Sequence, residues 1–359
     1  MRIIDASHDS TPADRPMVAI TGASGYLGSV LAAAFRSGGF TVRRLVRAPL
    51  PGTDERIFDL ATDTPSDALD GVDVLVHCAY DMTATRRADI WQTNVFGAAA
   101  LFEKAVTSGV RRTIAVSSMS AYPGTRQLYG RAKLDMETSA LCRGMCVVRP
   151  GLVYGTGWGG MAGTLRKLAG NPVLPDFGPR AHQFTVREDD LADAVVALAL
   201  AERSPTHPVG IAYPDPVPFT TLLKEFAASA GEPRPRFVPT PPMVVYRALQ
   251  IAELASLQLP VRADSLLGLV RPAPNVPNLD VLDKLGVTLH PFTVAGIGGD
   301  GVIPDRSAAA QRLESWPQKF VLPLIRGRAH ERNSPPQLRR CESLHEHPHR
   351  TKGLLEDAG

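Results

Sequence analysis

Cysteine is scarce in this 359-residue chain: Cys78, Cys142, Cys146 and Cys341 are the only four. None forms a CxxC pair, so a disulfide framework and a cysteine-rich metal fold are excluded, and reduced thiols in a cytoplasmic protein are expected. Long hydrophobic runs are missing as well. The longest, LADAVVALALA from Leu191 to Ala201, is about half of what a bilayer crossing needs, and the opening MRIIDASHDSTPADRP holds no apolar export segment. No membrane association is therefore expected. The chain also lacks an excess of one charge. Lys+Arg number 39 against Asp+Glu 36, a net +3, and such near balance argues against a nucleic-acid partner.

What the chain does have is a 44% hydrophobic content, enough for a large core, and a regular alternation of short apolar runs with helical patterns. MVAIT (Met17 to Thr21), FTVRRLVR, RIFDL, DVLVHCA, RTIAVSS and MCVVRPG read as strands. Between them lie helical stretches around YLGSVLAAAFRSGG, DIWQTNVFGAAALFEKAVTSG and the segment beginning near Tyr129. Continuous apolar strands separated by helices demand a parallel sheet covered on both faces, so the expected fold class is α/β, doubly wound, with a smaller C-terminal substrate subdomain. Residues 1–15 are expected to be a disordered leader, 16–180 the nucleotide-binding domain with the core strands and catalytic helix, and 181–300 a mixed region. That region holds a final helix at DDLADAVVALALAE and a proline-rich subdomain. Residues 304–359 are expected to be a disordered tail; their Cys341, His345, His347 and His349 crowd one segment, and no metal site is expected there.

TGASGYLG follows the first strand directly and opens a helix. In that context Gly22 permits a tight turn, Gly25 lets backbone approach a pyrophosphate and Gly28 allows close helix–strand packing, while the amides around Tyr26 and Leu27 point the positive end of the helix at phosphate. The second strand has no acidic residue to accept a ribose hydroxyl. It offers Arg43, Arg44 and Arg47 instead, which favours NADP over NAD.

Only Tyr129 of the seven tyrosines has a lysine four residues later, Lys133. At that spacing on a helix the phenol and ammonium share a face. A neighbouring cation is expected to lower the phenol pKa and suit Tyr129 to moving a proton.

Taken together, TGASGYLG, Asp59-Leu60, HCA at 77–79, NVFGAAAL from Asn94, SSMSAY from Ser117, YGRAK, RPGLVYG from Arg149 and DDLADAV from Asp189 resemble the extended short-chain dehydrogenase/reductases, the branch of NAD(P)-dependent epimerases and dehydratases. The resemblance covers roughly residues 17 to 290. It implies a Rossmann-type domain in which Tyr129 exchanges a proton with substrate, Lys133 holds the nicotinamide ribose and Ser118 hydrogen-bonds the reacting oxygen. It also implies that Asp59 and Leu60 border the adenine, that Ala79 approaches the cofactor through backbone, and that Pro150 to Val153 lie against the nicotinamide. The leading substrate expectation is a nucleotide sugar. The alternatives are an NADPH-dependent ketone reductase and a non-enzymatic NADP-sensing regulator. A small-molecule partner is implied, and a homodimer by analogy. Two departures bear on the substrate: Tyr129 follows Ser118 unusually soon, and Arg187 stands where the family commonly has His.

Overall fold

The computed structural model describes residues 15–255, 257 and 259–295. The expectations for residues 1–14, for the tail at 304–359 and for its histidines lie outside the described residues.

In chain order the elements begin with β1 (Met17–Thr21), α1 (Tyr26–Ser37), β2 (Thr41–Val46), β3 (Glu55–Ile57), β4 (Val74–His77) and α2 (Arg87–Ile90). A π-helical turn (Trp91–Phe96) runs from α2 into α3 (Gly97–Thr107), followed by β5 (Arg112–Val116), α4 (Leu128–Leu141), β6 (Cys146–Pro150), β7 (Leu152–Tyr154) and α5 (Gly160–Ala169). Next come β8 (Val173–Asp176), β9 (His182–Gln183), β10 (Thr185–Arg187), α6 (Glu188–Leu200), β11 (Val209–Ile211), β12 (Val217–Pro218) and α7 (Phe219–Ser229). The last are β13 (Arg236–Pro239), α8 (Pro242–Leu254), α9 (Ala263–Val270) and α10 (Asp280–Lys284).

Seven parallel strands form the central sheet in the order β11-β6-β5-β4-β1-β2-β3. Side chains alternate across it as the pleat requires. Val18 and Ile20 pack under α1 and α6 with Leu31, Phe35 and Val195, whereas Ala19, Leu45 and Leu75 pack against α3 and α4 with Leu101, Phe102 and Met136. Both faces are therefore buried, which accounts for the near-continuous apolar strands of the sequence. After β1 the chain fills the β2-β3 side and then crosses to β4, so the strand order reverses between β1 and β4. That reversal opens a crevice at the carboxyl ends of those strands, where ligands bind in open α/β sheets.

The smaller lobe is assembled from separated stretches. β7, α5, β8, β12 and α7 share a core of Tyr154, Leu165, Leu174, Phe219, Leu223 and Phe226, while β11, between β8 and β12 in the chain, returns to the main sheet beside β6. Of the described cysteines, Cys78 and Cys146 are free and Cys142 is disulfide-bonded. The expectation of reduced thiols thus holds for the first two only. No helix among the described residues is long and apolar enough to cross a membrane.

Candidate active site

The glycine turn sits at the β1–α1 junction on that crevice. Gly22 has φ +65, and a Cβ there would lie 3.0 Å from the backbone of Ala79 at the end of β4. At Gly28 a Cβ would come within 2.2 Å of the Gly22 carbonyl oxygen, so neither position admits a side chain without moving backbone. The Thr21 hydroxyl accepts the Cys78 and Ala79 N–H groups at 3.1 Å each, locking the end of β1 to the loop after β4. Helix α1 starts at Gly25 with no side-chain cap; its first amides are left for a ligand's oxygens. This cradle, which any Cβ would fill, fits a dinucleotide pyrophosphate. Tyr26 is fixed beside it: its hydroxyl donates to Glu188 Oε2 at 2.6 Å. Glu188 in turn accepts the Thr156 N–H at 2.9 Å, and burial together with the Glu188 carboxylate drives the Tyr26 phenol upward in pKa.

The three arginines of the second strand have separate fates. Arg43 is buried and bonds the Asp70 carbonyl at 2.7 Å. Arg44 pairs with Glu55 at 2.6 Å and donates to the Ala23 carbonyl at 3.0 Å, bracing the glycine turn. Arg47, just past β2, is exposed, and its charge helps to hold the Asp81 carboxyl below its ordinary range, after the hydrogen bonds from Thr83. Asp59 is occupied with the Ala61 N–H at 2.9 Å, and Leu60 is buried.

A cavity of about 620 Å³ opens between the lobes; Tyr26, Leu27, Ser118, Tyr129, Pro150 and Val153 all line it. Gly22, Gly25, Gly28, Arg47, Asp59, Leu60 and Ala79 lie outside its lining, along the strand ends, and Lys133 lies buried beneath Tyr129. Ser118 and Tyr129 lie close enough on this wall for a side-chain hydrogen bond that favours the Tyr129 phenolate. Burial nevertheless pushes the Tyr129 phenol up to about 12, outweighing that bond. This corrects the expectation of a lowered phenol: burial sets the net direction. The Lys133 ammonium donates instead to the Val116 carbonyl at 2.7 Å and stands 5.9 Å from the Tyr129 ring centroid. Burial lowers Lys133 itself to about 8, with Cys78 and Glu137 acting the other way.

Three residues around this site were given no role by the sequence. The Tyr80 ring meets that of Tyr129 edge-on at 4.8 Å, and Lys133 Nζ sits 4.9 Å from its centroid, a cation–π contact. Buried Asn94, in the π-helical turn, bonds both backbone groups of Asp81, at 2.6 and 3.1 Å, and fixes the loop that carries Tyr80. Asp264 of α9 accepts the Leu128 N–H at 2.7 Å and the Tyr129 N–H at 3.3 Å. It thus caps α4 from the other lobe, a service that Gln127, its own N-cap residue, does not perform. Asp264→Ala is expected to lower stability by about 1 kcal/mol, the usual cost of a lost cap, and to speed amide exchange at Leu128 and Tyr129. Hydrogen exchange read residue by residue checks this; unchanged exchange at those two amides would show that the cap contributes nothing.

The chain is similar to several known proteins. Residues 18–168 match the NAD dependent epimerase/dehydratase family. The chain is 31% identical over 194 residues to the ceramide reductase of Caulobacter vibrioides (strain NA1000 / CB15N), a match over 51% of this chain and 61% of that protein. It is 29% identical over 262 residues to a 3-diazoavenalumate denitrifying reductase of Streptomyces sp, covering 62% of this chain and 84% of the relative. Among solved structures, MoeE5 in complex with UDP-glucuronic acid and NAD superposes with a TM-score of 0.57 at 22% identity, over 77% of this chain and 94% of that one. The last likeness shows a shared fold.

Proposed function

We propose, from the match of residues 18–168 to the NAD dependent epimerase/dehydratase family, that this protein is an NADP-dependent reductase of an apolar ketone. The carrying observation is the wall of the cavity that holds Ser118 and Tyr129. Met82, Ala84, Met119, Met161, Phe184 and Ala273 line the same cavity, a surface suited to hydrocarbon. The name of the ceramide reductase relative points to reduction of a hydrocarbon-bearing substrate, and that of the second relative to reduction alone. Nucleotide-sugar epimerisation or dehydration is the second reading, favoured by Arg262 and Arg271 in the same lining, which suit a diphosphate.

The glycine turn and the first amides of α1 would hold the pyrophosphate, Asp59 and Leu60 would border the adenine, and Arg47 would meet the 2′-phosphate. When bound, the nicotinamide supplies or accepts the hydride at a carbon of the substrate. Everything else falls to the chain. The Ser118 hydroxyl holds the carbonyl oxygen, and Tyr129 Oη delivers a proton to it. Lys133, fixed by Val116, would hold the nicotinamide ribose and favour the phenolate that Tyr129 leaves behind, while the apolar wall excludes water from the reacting carbon.

The cofactor assignment is tested by titrating the purified protein with NADPH, NADH, NADP+ and NAD+. NADPH is expected to bind more tightly than NADH. Arg47→Ala should weaken NADPH by about tenfold, the scale of a lost charge-assisted hydrogen bond, and leave NADH unchanged. A preference for NADH in the unmodified protein would overturn the NADP assignment, and no binding of any nicotinamide would overturn the enzyme reading itself.

A further inference from the structure

Next to the catalytic cavity lies a second chamber of about 270 Å³. All twelve residues that line it are Leu, Val, Phe or Pro, and Pro260 and Leu269 belong to both walls. Its floor is the core of the smaller lobe, Phe219, Leu223 and Leu269, and its roof is α8, which contributes Val245 and Leu249, one helical turn apart. Helix α8 is anomalous. None of its 13 residues is buried, and Met243, Val244, Ile251 and Leu254 are exposed by half or more. The roof therefore does not reach down to fill the space beneath it. With no polar side chain in its lining, the chamber suits hydrocarbon better than a polar ligand.

We propose that this chamber receives the hydrocarbon tail of the substrate whose carbonyl is presented to Ser118 and Tyr129. The substrate class is accordingly an amphipathic ketone or secondary alcohol with a long aliphatic chain. The shared wall at Pro260 and Leu269 argues for a continuation of the molecule held in the catalytic cavity rather than a separate ligand. A tail would also give the half-exposed Val245 and Leu249 face of α8 the apolar contact that the protein itself does not supply. Although the inference rests on the ketone-reductase reading of the site, its binding prediction is separable from turnover.

The test is calorimetric titration of the full chain with a homologous series of secondary alcohols, from butanol to dodecanol, with the hydroxyl on the second carbon. Burial of each methylene is expected to raise affinity about fourfold until the chamber is full. Leu249→Trp puts an indole into the chamber from its roof and should flatten that dependence. Ala248→Trp, the same bulk on an exposed position of the same helix, should leave it intact and controls for a disturbed helix. Affinity independent of chain length in the unmodified protein would overturn the inference, as would an undiminished dependence in the folded Leu249→Trp variant. Oxidation of NADPH in the presence of the matching methyl ketones reads the catalytic assignment separately. Length-dependent binding without turnover would sink the reductase reading and keep the chamber; turnover with no length dependence would do the reverse.

Discussion

Tyr129→Phe is expected to lower kcat/KM for ketone reduction by about 10²- to 10⁴-fold, the usual contribution of a positioned general acid, while cofactor affinity stays at the level of the unmodified protein. The ring would keep its edge-on contact with Tyr80 at 4.8 Å, so the variant removes a proton donor and little else. The phenol is held at about 12 by burial, and therefore carries its proton throughout the neutral range. Lys133 is the group that changes state there. Burial has lowered it to about 8, so its charge is present below that pH and lost as pH rises through it. Reduction should accordingly run level at lower pH and decline above about 8, as the ammonium beside the developing phenolate disappears. Lys133→Met should lack that inflection. Steady-state rates across pH for the three proteins check both points. An inflection that survives in Lys133→Met would assign it to another group, and a Tyr129→Phe protein of undiminished kcat/KM would remove Tyr129 from the mechanism.

Arg149→Met is expected to cost about 3–5 kcal/mol of stability, because it strands a buried carboxylate. Glu137 is 3% exposed and sits on α4, the helix that carries Tyr129 and Lys133; Arg149 on β6 meets it twice, at 2.6 and 2.8 Å. Ser117 at the end of β5 also donates to Glu137. The cluster thus ties α4 to two strands of the sheet. Coulomb attraction alone does not make such a pair stabilising, since both groups lose their hydration. The same reasoning predicts that Glu137→Leu, added to Arg149→Met, recovers most of the loss by removing the uncompensated charge. Urea unfolding midpoints of the single and double variants decide the matter. A small loss in the single variant, or no recovery in the double, would show that the pair is solvated and not buried in solution.

The contacts around Glu137 and Tyr129 also mark how far the sequence could be read. The β1–turn–α1 unit was legible because its signals are local: an apolar run, three glycines at fixed spacing and a helical period follow one another within Met17 to Ser37. The Tyr129–Lys133 spacing was legible for the same reason, since i and i+4 share a helix face wherever the helix lies. The electrostatics did not follow from spacing. Lys133 is nearest to Tyr80 and the Val116 carbonyl, and both come from strand ends that only the sheet brings beneath α4. Asp264 reaches Leu128 from 136 positions away, and no period or motif around it announces a cap in trans. Strand β11 was missed because Val209–Ile211 is three residues long and follows a helix that closes the pattern. The separate commitments of Arg43, Arg44 and Arg47 depend on Asp70, Glu55 and Asp81, partners that the second strand alone does not reveal.

Deuterium transfer tests the central assignment most directly. Protein incubated with a long-chain methyl ketone and with NADPH or NADH doubly deuterated at the nicotinamide C4 should yield the secondary alcohol bearing one deuterium on its carbinol carbon, with NADPH the better donor and Tyr129→Phe nearly inert. An alcohol without deuterium, or no alcohol while the Tyr129→Phe and unmodified proteins bind cofactor alike, would contradict the account that Ser118, Tyr129 and Lys133 form a hydride-transfer site for an apolar ketone.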